Sequence, residues 1–192
     1  MADGRINDAT IYLGTASGPD QFANVNEVLP RYKPGELGHR VKDSQGRVWQ
    51  VVDLDSGATA AVASGIVAVG DLAFVKDTDN FIVTNDPAQA GAANAAGLAV
   101  DARNFVVGVF TNAVTAGRGT LILQQDPTSN GYPVNATGST WNIGDTAVAN
   151  TGTSSDVARI AAGTAPSSVQ VGIVVGALSG GLVPLKLTLP GI

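Results

Sequence analysis

The sequence predicts an all-β protein, a sandwich or barrel built from two tandem related β units, with an extended N-terminal arm and a hairpin. The first observation is an internal repeat, because Gly70-Asp71 recurs as Gly144-Asp145, 74 positions further on. The triplet at 107–109, Val-Gly-Val, recurs at 171–173 as Val-Gly-Ile, 64 positions further on. The second observation is a series of short apolar runs separated by glycine, without a convincing helix. Such runs are typical of sandwiches and barrels, and two copies in one order indicate a unit used twice.

Composition favours a chain that associates with other protein subunits. The 192 residues can hold one ordinary domain with an appendage, and 44% hydrophobic residues support a genuine core. Charged residues make up only 14%, which suits a surface covered by partners. The net charge of −5 and the scattered basic residues argue against a nucleic-acid partner. We expect no membrane partner, since no apolar run could span a bilayer, and the absence of cysteine excludes disulfides.

Residues 1–34 are predicted to form an extended N-terminal arm. The stretch is polar and irregular, and Pro30 would end any helix begun before it. Phe22 and Val25 stand at helix-like spacing, which leaves a short helix as the alternative. The extended arm is favoured because asparagine and valine are poor helix formers. Such an arm could become ordered on a neighbouring subunit.

The first unit, at 35–125, begins with a predicted hairpin over 35–54. Turn-forming residues at 43–47 separate two β-rich flanks, and alternation places Gln50 and Val52 on one face, with Trp49 and Val51 on the other. The rest of the unit is predicted to consist of short strands on either side of Gly70-Asp71, a polar turn at 76–80, a strand at 81–84, a loop with at most one helical turn at 88–100, and strands at 104–111 and 119–125.

The second unit, at 126–192, is predicted to open with a linker at 126–131. Its β-rich runs are separated by threonine, serine and glycine, which favour turns. The predicted strands lie near 140–149, 157–161, 169–177 and 182–189. The roughly ten-residue difference between the two repeat offsets falls in the alanine- and glycine-rich stretch after Asp86, which the second unit lacks.

We predict no catalytic residue and therefore no enzyme. Asp71 and Asp145 could be read as paired catalytic carboxylates, but an aspartate that accepts hydrogen bonds from its own turn explains the repetition more simply. His39 is the only histidine, so any histidine base must use it. Its neighbours Arg40 and Lys42 would disfavour the protonated ring, and we interpret His39 as a structural strand residue.

No metal or cofactor site is predicted either. Asp77, Asp79 and Asn80 resemble the opening of a calcium loop, but Ile82 and Ala88 occupy the places of its glycine and glutamate, so a hairpin turn is favoured. The run at 117–119, Gly-Arg-Gly, precedes no helix that could hold phosphate, and we interpret its glycines as part of a hairpin turn. Lys186 lies in an alternating strand and should face outward rather than carry a prosthetic group.

Two tryptophans leave one binding alternative open. Trp49 and Trp141 could each stack on a sugar ring. Two tryptophans so far apart in sequence are more often anchors of a core or an interface, and that reading is favoured.

From Gly35 to Leu54, and through the two Gly-Asp … Val-Gly-Val/Ile units, the chain resembles the small decoration (cement) proteins of tailed-bacteriophage heads. The likeness consists of a Gly-x-x-Gly, Asp-x-x-Gly-Arg and Val-Trp-Gln-Val hairpin joined to Gly/Ala/Val-rich β segments, and it covers about residues 35–189. The doubled unit and the insertion at 88–100 depart from the simplest single-unit version. The resemblance implies a β-rich, commonly trimeric protein that sits where capsid subunits meet and has no catalytic residues.

We therefore expect a structural virion protein that decorates and stabilises a phage capsid. Its partners would be the major capsid protein and further copies of itself in a homotrimer. It would be made in the host cytoplasm and lie on the outer surface of the capsid. Two alternatives remain: a virion or surface adhesion module that binds carbohydrate through Trp49 or Trp141, and a hydrolase that would need His39 or converging aspartates.

Overall fold

The computed structural model describes residues 37–55, 67–91, 105–113, 117–150, 155–161, 169–190 and 192. Almost all regular structure in these ranges is β, as predicted. The eleven strands of the described part are β1 (Arg40–Lys42), β2 (Val48–Leu54), β3 (Leu72–Asp77), β4 (Ile82–Thr84), β5 (Val106–Phe110), β6 (Gly117–Gln125), β7 (Tyr132–Asn135), β8 (Thr146–Ala149), β9 (Val157–Ile160), β10 (Gln170–Val174) and β11 (Leu182–Leu187). The described part also contains a 3₁₀ turn, Pro87–Gln89. The predicted arm at 1–34 lies outside the described residues.

The first unit forms a closed barrel of five strands. Its order is β2-β4-β3-β5-β6, and β6 pairs back onto β2 over almost the whole length of that strand. The contact between β2 and β4 is parallel, and every other contact is antiparallel. The predicted hairpin is present as β1 and β2, with Arg40 opposite Gln50 and Lys42 opposite Val48.

The second unit repeats this arrangement. Its sheet has the order β7-β11-β10-β8-β9, and a parallel bridge between Ala136 and Val157 brings the end of β7 to β9. The Thr137 N–H donates to the Val157 carbonyl at 2.9 Å beside this bridge. In the first unit the Asp55 N–H donates to the Val83 carbonyl, also at 2.9 Å, at the corresponding place.

The strand registers recur as well as the strand order. The pair Ala73 and Gly108 in β3 and β5 corresponds to Ala147 and Gly172 in β8 and β10, with the same offsets of 74 and 64 that separate the sequence motifs. The register shifts directly beside each of these pairs, so the two barrels share even a β-bulge. The sequence repeat is therefore a duplicated five-strand unit.

The buried apolar residues of the described part form two clusters. One belongs to the first barrel alone and consists of Val52, Leu54, Val67, Ala73, Val75, Val83, Val107, Phe110 and Ile122. The other is continuous across both units and joins residues such as Trp49 and Phe74 to Val134, Val171 and Leu185. This shared cluster indicates that the two barrels form one packed body rather than two independent modules.

One turn prediction and one strand prediction are wrong. The run at 117–119 is not a turn, because β6 already begins at Gly117, which pairs with Leu54. Backbone pairing needs no side chain, so glycine can continue a strand whenever its partner is long enough. In the second unit, residues 141–145 are not part of a strand, and β8 begins only at Thr146.

The sequence also gave no sign of β7. This strand, Tyr132–Asn135, follows directly after the predicted linker and contains Pro133. Proline lacks the N–H that a strand interior normally donates, which argues against a strand in sequence alone. In the fold Pro133 lies opposite Pro184, where β7 pairs with β11 in the second barrel. Val67 forms an isolated bridge instead of the short strand expected there.

Candidate interaction surface

Each barrel carries a Gly-Asp turn immediately before its β3 or β8 strand. Turn 1 is Ala68–Asp71 and turn 2 is Asn142–Asp145. In turn 1 the Asp71 N–H donates to the Ala68 carbonyl at 3.2 Å, and in turn 2 the Asp145 N–H donates to the Asn142 carbonyl at 3.0 Å. The third residue has φ +87° in turn 1 and φ +92° in turn 2. A β-turn of type II requires such a positive φ at its third position, which glycine adopts without strain.

Each of the two aspartates stabilises its own turn by accepting a hydrogen bond from the turn backbone. Asp71 accepts a hydrogen bond from the Ala68 N–H at 2.9 Å, and Asp145 accepts one from the Asn142 N–H at 2.7 Å. The prediction that each aspartate serves its own turn is confirmed. Arg159 additionally donates from Nε to Asp145 at 2.5 Å. The two carboxylates are thus engaged in separate turns rather than in a common catalytic pair.

Each turn is also fastened to a strand end by two backbone hydrogen bonds. Gly70 donates to the Phe110 carbonyl and Phe110 donates to the Asp71 carbonyl, both at 2.9 Å. Gly144 and Val174 form the corresponding pair of bonds in the second barrel, again at 2.9 Å. The turns are therefore held rigidly, and the side chain of the second turn residue has a fixed direction.

That second residue is an exposed β-branched aliphatic residue in both turns. Val69 is 43% exposed and Ile143 is 74% exposed, and within the described residues these are the large apolar side chains that lie open to solvent. Turn geometry does not require an apolar side chain at this position. Sequence analysis missed the pair, although a valine and an isoleucine before the two Gly-Asp motifs were a visible signal.

The surroundings of the two turns differ. Turn 1 is docked on the second barrel, where the Asn135 N–H donates to the Gly70 carbonyl at 3.0 Å and its Nδ2 donates to the Val69 carbonyl at 3.3 Å and to Asp71 Oδ1 at 2.8 Å. Beyond the turn, the Leu72 N–H donates to the Ser155 carbonyl at 2.7 Å. Residues 70–72 thus contact both β7 and the segment that leads into β9.

Within the described residues, no hydrogen bond from the first barrel reaches Asn142, Ile143 or Gly144 of turn 2. Asn142, Ile143 and Gly144 are all exposed. A Cβ placed on Gly144 would meet no atom within 4 Å, whereas one on Gly70 would meet Leu182 at 3.1 Å and the backbone of Asn135 at 3.2 Å. The second barrel therefore presents a turn of the same geometry as the first, with a larger and more exposed apolar side chain.

A buried carboxylate stabilises the turn of the β1–β2 hairpin. Asp43 accepts hydrogen bonds from Arg47 Nε at 2.7 Å, from Trp49 Nε1 at 3.2 Å and from the Gln45 N–H at 2.9 Å. Burial raises the pKa of Asp43, but the bonds from Arg47 and Trp49 outweigh this effect and hold its pKa below the ordinary value. Every one of these bonds lies within the hairpin, so the group stabilises the turn.

Both tryptophans are buried in the core, which is the interpretation that their distance in sequence favoured. Trp49 is 3% exposed and Trp141 is 9% exposed. The Arg47 guanidinium lies 5.3 Å from the centroid of the Trp49 ring, and Trp141 Nε1 donates to the Thr137 carbonyl at 3.2 Å. Neither indole offers an open face on which a sugar could stack.

The other candidate residues lie apart from one another along the chain. His39 is exposed just before β1, and its carbonyl accepts a hydrogen bond from the Val51 N–H at 3.0 Å. Asp77 closes the β3–β4 hairpin by accepting from the Asp79 N–H at 2.9 Å and from Asn80 Nδ2 at 2.8 Å, and the Asn80 bond lowers the pKa of Asp77. This confirms the hairpin turn expected there. Lys186 is exposed on β11, as predicted.

Within the described ranges, no three or more histidine, cysteine, aspartate or glutamate side chains are grouped as metal ligands would be. The same ranges contain no helix long and apolar enough to cross a membrane. No protein-family model, no curated protein and no solved structure matches this chain.

Proposed function

We propose that the protein is a structural virion protein that decorates a bacteriophage capsid and stabilises it by binding between major capsid protein subunits as a homotrimer. The observation that carries the proposal is the pair of rigid turns that present Val69 and Ile143 on a duplicated barrel. Exposed aliphatic side chains on a fixed backbone lose little entropy when they are covered, which favours protein–protein contact. The resemblance of the hairpin and the repeated units to decoration proteins supports the same proposal.

The positions of three buried carboxylates support a binding role rather than a catalytic one. Asp43, Asp71 and Asp145 are buried, and each accepts hydrogen bonds from the backbone of its own turn. They add rigidity to the loops that connect the strands. A stiff body with few surface charges can make many weak contacts with a capsid, and trimer formation would multiply them by avidity. These contacts would oppose the outward pressure of packaged DNA.

A binding experiment with viral heads tests the proposal directly. Purified protein is mixed with expanded, undecorated heads of the virus that encodes it, and the heads are sedimented and imaged by electron microscopy. We expect saturable binding, protein density on the outer surface where capsid subunits meet, and a higher temperature of head disruption. Heads already saturated with unlabelled protein provide the control. Failure to sediment with the heads, or density only inside the shell, would refute the proposal.

Two further measurements separate the parts of the proposal. Sedimentation velocity tests the homotrimer, and a monomer at micromolar concentration would exclude it. Deletion of residues 1–30 tests the arm, which we expect to strengthen binding by reaching a neighbouring subunit. Unchanged affinity of the shortened chain for expanded heads would show that the arm plays no part.

A further inference from the structure

Strand β1 has an outer edge that pairs with no other strand of the described part. Its only partner among the described strands is β2. The His39 carbonyl accepts a backbone hydrogen bond from β2, and the Asp43 N–H donates to the residue just before β2, both at 3.0 Å. Residues of an antiparallel strand turn their backbone groups toward the partner alternately. Because His39 and Asp43 turn toward β2, Val41 does so as well, and the N–H and carbonyl groups of Arg40 and Lys42 point to the outer edge.

This outer edge is positively charged. Arg40 and Lys42 are exposed and stand two positions apart, so their side chains share one face of β1. Neither has an ion-pair partner among the described residues, whereas Arg47 pairs with Asp43 at 2.7 Å. Pairing of β1 with β1 of a second copy would bring the cations of both copies together, which is unfavourable. A strand that adds to this edge should therefore carry acidic side chains.

The chain itself contains a segment of the required composition ahead of β1. Residues 20–29 include Asp20 and Glu27 and contain no lysine or arginine. They also contain no proline, so each of them has an N–H to donate. Residues 30–36, which connect this segment to the described part, fit the edge poorly because they contain two prolines and two cations. These connecting residues can extend about 25 Å, which is enough to reach a strand edge on an adjoining copy.

We infer that residues 20–29 of one copy add a strand to the outer edge of β1 in a second copy, with the acidic side chains of the arm meeting the cations of the edge. Main-chain hydrogen bonds give this contact its affinity, and the charges determine its partner. The inference rests on the homotrimer of the proposed function and names the contact that builds it. Repetition of the contact around a threefold axis closes a ring in which every arm and every edge is used.

The first test compares two exposed strand lysines. Lys42→Glu reverses a charge on the outer edge of β1, and Lys186→Glu is the matched control on β11, with the same change in net charge. Sedimentation velocity over a concentration series gives the midpoint of self-association. We expect Lys42→Glu to raise this midpoint at least about tenfold, because all contacts of the ring change together. Lys186→Glu should leave it unchanged.

A charge exchange tests which segment occupies the edge. Arg40→Glu combined with Lys42→Glu should dissociate the assembly. Addition of Asp20→Lys and Glu27→Lys to the same chain should restore association, because each contact again joins opposite charges. Failure to restore it would overturn the inference, as would unchanged self-association after deletion of residues 1–30.

The other outcomes separate the inference from the proposed function. Equal midpoints for Lys42→Glu and Lys186→Glu would overturn the inference and leave the homotrimer standing; pairing of the arm with β1 of its own copy would give this result. A parent protein that stays monomeric would overturn the homotrimer and the inference together, and binding of that monomer to heads would leave capsid decoration standing. Thermal melting of both lysine variants should match the parent, since both side chains are exposed. If Lys42→Glu melts earlier, deletion of residues 1–30, which alters no described residue, decides the question by the same measurement.

Discussion

Gly70→Ala should destabilise the protein more than Gly144→Ala, although both glycines occupy the third position of equivalent turns. Their φ values are +87° and +92°, so an alanine meets similar backbone strain at either site, about 1–2 kcal/mol. The smaller entropy of an unfolded chain with alanine is a gain of about 0.4–1 kcal/mol in both variants. These contributions cancel in the comparison, and the remaining difference reports the contact between the two barrels.

The difference in destabilisation arises from the space around each glycine. An alanine Cβ at Gly70 would lie 3.1 Å from Leu182 Cδ2 and 3.2 Å from both the Asn135 nitrogen and the Pro133 oxygen, whereas at Gly144 it would meet nothing within 4 Å. Two of the three neighbours are backbone atoms that cannot rotate away. Overpacking of this kind costs about 1–3 kcal/mol.

Urea denaturation followed by circular dichroism measures both variants against the parent protein. We expect Gly70→Ala to lose about 1–3 kcal/mol more than Gly144→Ala with unchanged m values. In thermal unfolding this corresponds to a gap of about 2–12 °C between the two midpoints for a chain of this size. Equal losses, or a larger loss for Gly144→Ala, would show that turn 1 is not packed tightly against the second barrel.

Three further predictions concern the core and the titratable groups. Gly172→Ala would place a Cβ 2.4 Å from the Lys186 oxygen, so β10 and β11 must separate, and urea denaturation should show a loss of about 3 kcal/mol. The pKa of Asp43 lies below its ordinary value of 3.8 because hydrogen bonds from groups such as Arg47 outweigh the effect of burial. The stability that Asp43 contributes is therefore present above pH 3.8 and is lost as the pH falls through the lower pKa of the folded state. Asp43→Asn should reduce the loss of stability at acid pH, and an unchanged pH dependence would contradict this role. Burial raises the pKa of Tyr132 to about 12 from 10.0, so the stability gained from its neutral phenol should decline between these pH values, and Tyr132→Phe should remove that alkaline decline in unfolding measurements.

Local chemistry made much of the fold predictable. The hairpin at 35–54 could be read from its turn residues and β-rich flanks, and the function of Asp71 and Asp145 followed from their recurrence after glycine. An aspartate that caps a turn acts over a few residues, so the sequence alone contains the whole interaction. The same is true of Asp77, whose hydrogen bonds reach only to residues 79 and 80.

Other features needed the tertiary structure because their cause lies far away in the chain. Gly117 looks like a turn residue until its pairing with Leu54 is known. Pro133 argues against a strand until β11 is placed beside it. Likewise, Trp49 could have been a sugar platform or a core anchor, and only its position among residues of both barrels decided between them.

The sequence by itself determined that this is an all-β chain with one unit used twice, because alternation, turn chemistry and repeat spacing are local properties of the residues. Only the tertiary structure decided that turn 1 is bound by Asn135 while turn 2 is left exposed with Ile143 at its tip. The two turns share their Gly-Asp pair and a β-branched second residue, and they differ in the neighbour that packing places against them. Contacts between residues 64 or more positions apart depend on how the barrels meet, which no local sequence pattern records.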